Sequence, residues 1–104
     1  MGSHPLRGVA GMQQVTLTLT NAVGLHARPA ALFVQTAARF RSNITVRNIT
    51  RGTPAVNAKA ILAVLTLGAE HGHVIEISAE GPDEEEAIAT LKALVESRFG
   101  EDGG

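Results

Sequence analysis

The run Gln13-Gln14-Val15-Thr16-Leu17-Thr18-Leu19-Thr20, then Asn21-Ala22-Val23-Gly24, then Leu25-His26-Ala27-Arg28-Pro29-Ala30, decides the fold. In its first part Val15, Leu17 and Leu19 alternate with Thr16, Thr18 and Thr20. That period of two, written in β-branched residues, predicts a half-buried strand over residues 13–20. Asn21 to Gly24 breaks the alternation with turn residues. Pro29 tolerates only the first turn of a helix, because it lacks the N–H that later turns need. A helix therefore starts close to His26-Ala27-Arg28. Phe33, Ala37 and Phe40 share one face of it over residues 29–41, and Arg39 and Arg41 would face the negative helix end.

The same grammar continues downstream. Residues 43–50 predict a second strand through Ile44 and Val46, and Arg51-Gly52-Thr53-Pro54 a turn. Ala55-Val56-Asn57 reads as a short third strand or as the lead into a helix that Asn57 would cap. That helix covers residues 58–67 and closes at Gly68. Its apolar residues Ile61, Leu62, Val64, Leu65 and Leu67 occupy more than one face, so it is either fully buried or presents a docking surface. Residues 74–79 predict a strand, and residues 83–99 a long helix. Asp83 and Glu86 have capping-box spacing, the glutamates suit the positive helix end, and Ile88, Leu91, Leu94, Val95 and Phe99 form the buried stripe. The order βαββαβα predicts a two-layer α/β (α+β) domain, helices against a sheet.

Composition bounds the function. The chain of 104 residues is one domain's worth and can bury a core without staples. It has no cysteine, which excludes disulfides and thiol chemistry and suits a reducing compartment. Nine cations against ten carboxylates, net −1, give no bulk attraction to nucleic acid or to a membrane. Three Phe with no Trp or Tyr are too few for a base-stacking surface. No apolar run approaches a membrane span. Residues 1–11 lack the core of a signal peptide and are expected to be a leader or tag remnant, with Met12 a possible second start. Residues 100–104 are expected to fray, which leaves residues 12–99 as the domain.

The densest chemistry lies at Gly24-Leu25-His26-Ala27-Arg28-Pro29-Ala30. A histidine there meets the unpaired N–H groups of a helix start, which attract an anion such as phosphate. Arg28 adds a cation with five donors, and a neutral imidazole is a competent nucleophile near pH 7. A surface histidine near a helix start is also common, so local physics leaves both readings standing.

Three blocks add a resemblance. Gly24 to Ala30, Val34-Gln35-Thr36-Ala37 through Phe40, and Val56-Asn57-Ala58-Lys59 with Ala63-Val64-Leu65-Thr66-Leu67-Gly68 are similar to HPr, the histidine-containing phosphocarrier family of the bacterial phosphoenolpyruvate-dependent sugar phosphotransferase system. The resemblance runs from about Met12 to Phe99. It implies an open-faced sandwich, a four-stranded antiparallel sheet with three helices on one face. It implies a carrier rather than an enzyme: His26 takes a phosphoryl group through Nδ1 from enzyme I and passes it to an enzyme IIA domain. Arg28 would stabilise that group, and Ala27, Arg28 and Ala30 would cradle it. Ala27, Arg28, Ala31, Ile61, Leu62 and Leu65 would form the docking face. A small cytoplasmic monomer without cofactor, bound metal, nucleic acid or membrane insertion is implied.

Two departures from the family pattern stand out. Ala60 follows Lys59 where many Gram-positive members carry a regulatory serine, so that control is expected to be absent. The segment from Asn48 to Ala55 is a few residues longer than usual. Two other circuits remain open: a carrier for dihydroxyacetone or nitrogen-regulatory relays, and a docking-only regulatory module. The docking-only members of the family replace the histidine, and His26 is retained here. His71 and His73, with Glu70 and Glu76 nearby, lack the ligand count of a closed metal site and read as a solvated loop.

Overall fold

In the computed structural model, which describes residues 11–101, the alternating run becomes strand β1 (Met12–Thr18). Leu17 and Leu19 face the core while Thr16, Thr18 and Thr20 are exposed, as the period of two requires. Strand β2 is Asn43–Asn48, β3 is Val56–Asn57 and β4 is Val74–Glu80. They form one antiparallel sheet in the order β1-β4-β2-β3. The central strand β4 pairs Ile77 with both Val15 and Val46. Its Ile75, Ile77 and Ala79 are buried on one face. On the other face Arg47 Nε pairs with Glu76 at 2.8 Å, and Gln14 donates to Ser78 Oγ at 3.0 Å. One face is thus packed and the other polar, the usual economy of an antiparallel sheet.

Helices α1 (Ala27–Ala37), α2 (Ile61–Leu65) and α3 (Glu84–Glu96) complete the two-layer open-faced sandwich. Helix α1 buries Pro29, Ala30, Phe33 and Ala37, and α3 buries Ala87, Leu91 and Val95 at helical spacing. Full burial of Phe33 alone is worth roughly 2–3 kcal/mol. Ile88 and Leu94, expected in the stripe, are half-buried against its edge.

Several boundaries differ from the sequence reading, each for a local reason. Helix α1 ends at Ala37, so Arg39 and Arg41 lie beyond it, and the Arg39 guanidinium sits over the Phe40 ring instead. Strand β2 stops at Asn48, because that buried side chain turns the backbone. Its Oδ1 accepts the Arg51 N–H at 3.2 Å, and its Nδ2 donates to Leu67 O at 3.1 Å. Helix α2 is shorter than residues 58–67. The Ala58 N–H donates to Ile44 O, extending the sheet, and Asn57 Oδ1 accepts from Lys59 N rather than from a helix. Ala60, with extended backbone, is the N-cap.

The expected capping box at Asp83 and Glu86 does not form. Asp83 makes no side-chain cap; its carboxylate accepts from Arg41 N (2.9 Å), Ser42 N (3.0 Å) and Ser42 Oγ (2.6 Å). It therefore ties the start of α3 to the loop after α1. Helix α3 ends at Glu96, and a turn of 3-10 helix (Arg98–Gly100) with positive φ follows. Gly100 and Glu101, the first two residues of the expected tail, donate to Ser97 O and Arg98 O. Residues 1–10 of the expected leader and 102–104 of the expected tail lie outside the described residues.

The Asp83 bonds make a pH prediction. The Ser42 hydroxyl first, then the Arg41 amide, hold the Asp83 carboxyl below the ordinary carboxylate value. A depressed folded value contributes stability that is fully present above the unfolded value, about 3.9, and is lost as pH falls through the lower folded one. Thermal melts from neutral to acid pH should show wild type losing more stability through that window than Asp83→Asn. Parallel curves for the two proteins would refute it.

Candidate functional site

Strand β1 and strand β4 are antiparallel neighbours, so the loops at residues 19–25 and 69–73 meet at one end of the sheet. The Leu19 N–H donates to His73 O (2.9 Å), Gly72 N to Leu19 O (2.7 Å), and Leu25 N to Ala69 O (2.8 Å). Buried Asn21 donates from Nδ2 to Gly24 O at 2.8 Å. Gly24 has φ +63°, and a Cβ there would strike Ala69 O and the Glu70 backbone. The loop that delivers His26 is therefore clamped against loop 69–73 at three backbone points, through a glycine that no larger residue can replace without strain.

His26 is the N-cap of α1, with extended backbone (φ −82°, ψ −171°) and no capping hydrogen bond from its ring. The ring is exposed to solvent. The Ala30 N–H donates to His26 O at 2.8 Å. Ala30, expected in the phosphate cradle, is fully buried and its N–H is spent on holding the His26 carbonyl. Pro29 has no N–H. The backbone donors of Ala27 and Arg28 have no acceptor among the described residues and stand beside the imidazole, where a helix start favours negative charge. The exposed Arg28 guanidinium forms no hydrogen bond or ion pair among the described residues, so all five of its donors are available.

The apolar residues expected around this point are at the surface. Leu62 is 75% exposed, Ile61 and Leu65 are more than a third exposed, Ala27 is exposed and Ala31 is half-buried. Val64 and Leu67 turn inward, which resolves the many-sided helix into an anchor and a presented face. Three adjacent apolar groups in water on one short helix suit a reversible interface.

The other two histidines of this region, His71 exposed and His73 half-buried, each make a hydrogen bond that holds the loop. His71 Nδ1 donates to Asn21 O (3.1 Å). His73 Nδ1 accepts from Glu70 N and from Asn48 Nδ2, each at 3.1 Å. Sequence reading missed these roles, and with them the clamp made by Asn21, Gly24 and Ala69. Asn21 and Gly24 were legible as a turn; the partner loop was not, because the contact is distant in sequence.

Fold and site together define a small carrier-type module: an open-faced sandwich that presents one histidine at a helix start. A family model for the PTS HPr component phosphorylation site matches residues 13–97. The phosphocarrier protein HPr of Xylella fastidiosa is 46% identical over 91 residues, which are 88% of this chain and 99% of that protein. The multiphosphoryl transfer protein of Vibrio cholerae is 42% identical over 86 residues, 83% of this chain; the chain spans only 22% of that protein. A crystal structure of HPr-C-His from Thermoanaerobacter tengcongensis superposes with TM-score 0.81 at 52% identity, covering 86% of this chain and 98% of that one. Crh, the Bacillus subtilis catabolite repression HPr, superposes with TM-score 0.63 at 40% identity, covering 81% and 94%. The chain belongs to the HPr family, the phosphocarriers of the phosphoenolpyruvate-dependent phosphotransferase system. No helix among the described residues is long and apolar enough to cross a membrane.

Proposed function

We propose that His26 carries a phosphoryl group in the cytoplasm, from phosphorylated enzyme I to an enzyme IIA domain, during sugar uptake. The observation that carries this reading is the exposed, unbonded imidazole at the α1 start, with two open backbone donors and Arg28 beside it. His26 Nδ1 attacks phosphorus. The new P–N bond forms as the P–N bond to the donor histidine breaks, and the donor imidazole leaves. Little covalent work falls to the protein, so positioning and charge stabilisation decide the rate. The Ala27 and Arg28 amides and the Arg28 fork supply both. Onward transfer repeats the step with the roles reversed, and Ile61, Leu62 and Leu65 supply the face on which either partner docks. The chain works as a monomer in this scheme, and its own step needs no cofactor or metal. Ala60 offers no hydroxyl at the start of α2, so phosphorylation there has no place in its control.

A docking-only module has no use for a reactive imidazole so placed, which favours the carrier. Dihydroxyacetone or nitrogen-regulatory relays would use the same His26 chemistry with other acceptors. The test is incubation with phosphoenolpyruvate, magnesium and enzyme I, followed by a chase with enzyme IIA domains. Acid-labile, base-stable phosphate on this chain that moves to a sugar-specific domain is expected. No label from a competent enzyme I would overturn the reading. Arg28→Ala should slow transfer roughly 10–100-fold, the value of a charge-assisted hydrogen bond of about 1.5–3 kcal/mol. Arg28→Lys should recover only part, since a lysine lacks the planar fork. An unchanged rate in stopped-flow transfer would remove Arg28 from the chemistry.

A further inference from the structure

The lengthened turn after β2 has a position that its length alone does not explain. It is closed by Thr53 N to Asn48 O (3.1 Å), Gly52 N to Ile49 O (3.1 Å) and Asn48 N to Thr53 Oγ1 (3.0 Å). Arg51, at its tip, lays its guanidinium over Gly68, where an added Cβ would collide with Arg51 Nη1. Gly68 lies one turn beyond the exposed Leu65, whose carbonyl accepts its N–H. It also precedes Ala69, whose carbonyl holds Leu25 next to His26. The turn thus sets a cation on the rim of the apolar face, at the His26 end of the molecule. Arg51 is exposed, and its guanidinium has no hydrogen bond or ion pair among the described residues. By contrast Arg47 is paired with Glu76, and Lys59 Nζ donates to Phe40 O at 2.7 Å.

The chain's charge is divided in the same sense. The first carboxylate side chain in the sequence is Glu70; before it stand seven cations, and from it onward ten carboxylates face two. Helices α1 and α2 and the turn belong wholly to the cationic part, and α3 to the acidic part. A docking face built from α1, α2 and the turn therefore carries no carboxylate of its own and is complementary to an acidic surface.

We propose that Arg51 is a specificity-determining residue of the docking face, pairing with a carboxylate on enzyme I as that donor engages His26. This rests on the carrier reading above. A rim charge of this kind acts on encounter and on salt dependence more than on the chemical step. The experiment is steady-state transfer from phosphorylated enzyme I to wild type, Arg51→Ala, Arg51→Glu, Arg51→Lys and, as a control on the open sheet face, Arg47→Ala. Arg51→Ala should raise KM about threefold to fivefold with kcat unchanged, the range of an exposed ion pair. Arg51→Glu should raise it further, on the order of tenfold, and Arg51→Lys should recover most of the loss. The difference should shrink at high salt, and the melting temperature should stay at the wild-type value. Wild type that takes phosphate while Arg51→Ala matches it in KM would overturn the inference alone. So would a lowered melting temperature with no change in KM, which would make Arg51 a cap for α2. Wild type that takes no phosphate would overturn the carrier reading itself, and this inference with it.

Discussion

Replacing His26 by alanine or glutamine will leave a folded chain that takes no phosphoryl group from enzyme I. The loss should be complete, because no other histidine among the described residues is placed as His26 is. His71 spends its Nδ1 hydrogen on Asn21 O, and the His73 Nδ1 lone pair faces two donors. Neither has the open amides that stand beside His26. The fold should not notice: the His26 ring is exposed and caps nothing, and exposed substitutions of that kind fall within about 0.5 kcal/mol. Mass spectrometry under basic conditions, with a thermal melt beside it, reads both halves. A variant that still gains base-stable phosphate would place the acceptor elsewhere.

Gly24→Ala should be the most damaging small substitution near the site. The position needs φ +63°, which costs a residue with Cβ about 1 kcal/mol or more. Beyond that, the new methyl would meet Ala69 O and lie 2.7 Å from the Glu70 carbonyl carbon, and backbone cannot step aside as a side chain can. Together the two effects should cost about 2–4 kcal/mol, or roughly 10–25 °C of melting temperature in a domain of this size. Gly52→Ala and Gly72→Ala share the positive φ with open space around them. They should lose only the conformational part. A Gly24→Ala protein that melts with those two would show that the loops do not approach as described. Where it does fold, its His26 should accept phosphate more slowly, because the clamp that fixes the loop is sprung.

The residues that told most were those whose local pattern coincides with their tertiary role. The alternation around Leu17, the proline at position 29 and the glutamates opening α3 each name an element, and each element is there. The candidate site was legible for the same reason: His26, Arg28 and Pro29 lie together in sequence and remain together in space. The family resemblance supplied strand direction, which the order of elements leaves open. What failed depended on distant partners. Asp83 looks like a cap and serves as an acceptor for Arg41 and Ser42, more than forty positions earlier in the chain. Asn57 looks like a helix cap and ends a strand. Arg51 read as one residue of a turn, and only the path of β2 and α2 brings it over Gly68. The absence of carboxylates before Glu70 was open to inspection throughout; its meaning needed the helices to be placed.

That division of charge bears on how quickly a relay of this kind can turn over. With Arg28 and Arg51 on the elements around His26, and no carboxylate on α1, α2 or the turn, the docking face has a long-range handle as well as a contact surface. On the carrier reading proposed above, attraction of an acidic partner to Arg28 and Arg51 acts before any atoms touch, so a larger share of collisions arrives with His26 leading. Attraction of that sort hastens arrival without deepening the bound state, since salt and solvent screen it and the apolar contact is only a few side chains wide. Departure stays quick. A messenger that must meet one protein, leave it loaded and find another is served by fast encounters and brief residence, and by adhesion hardly at all.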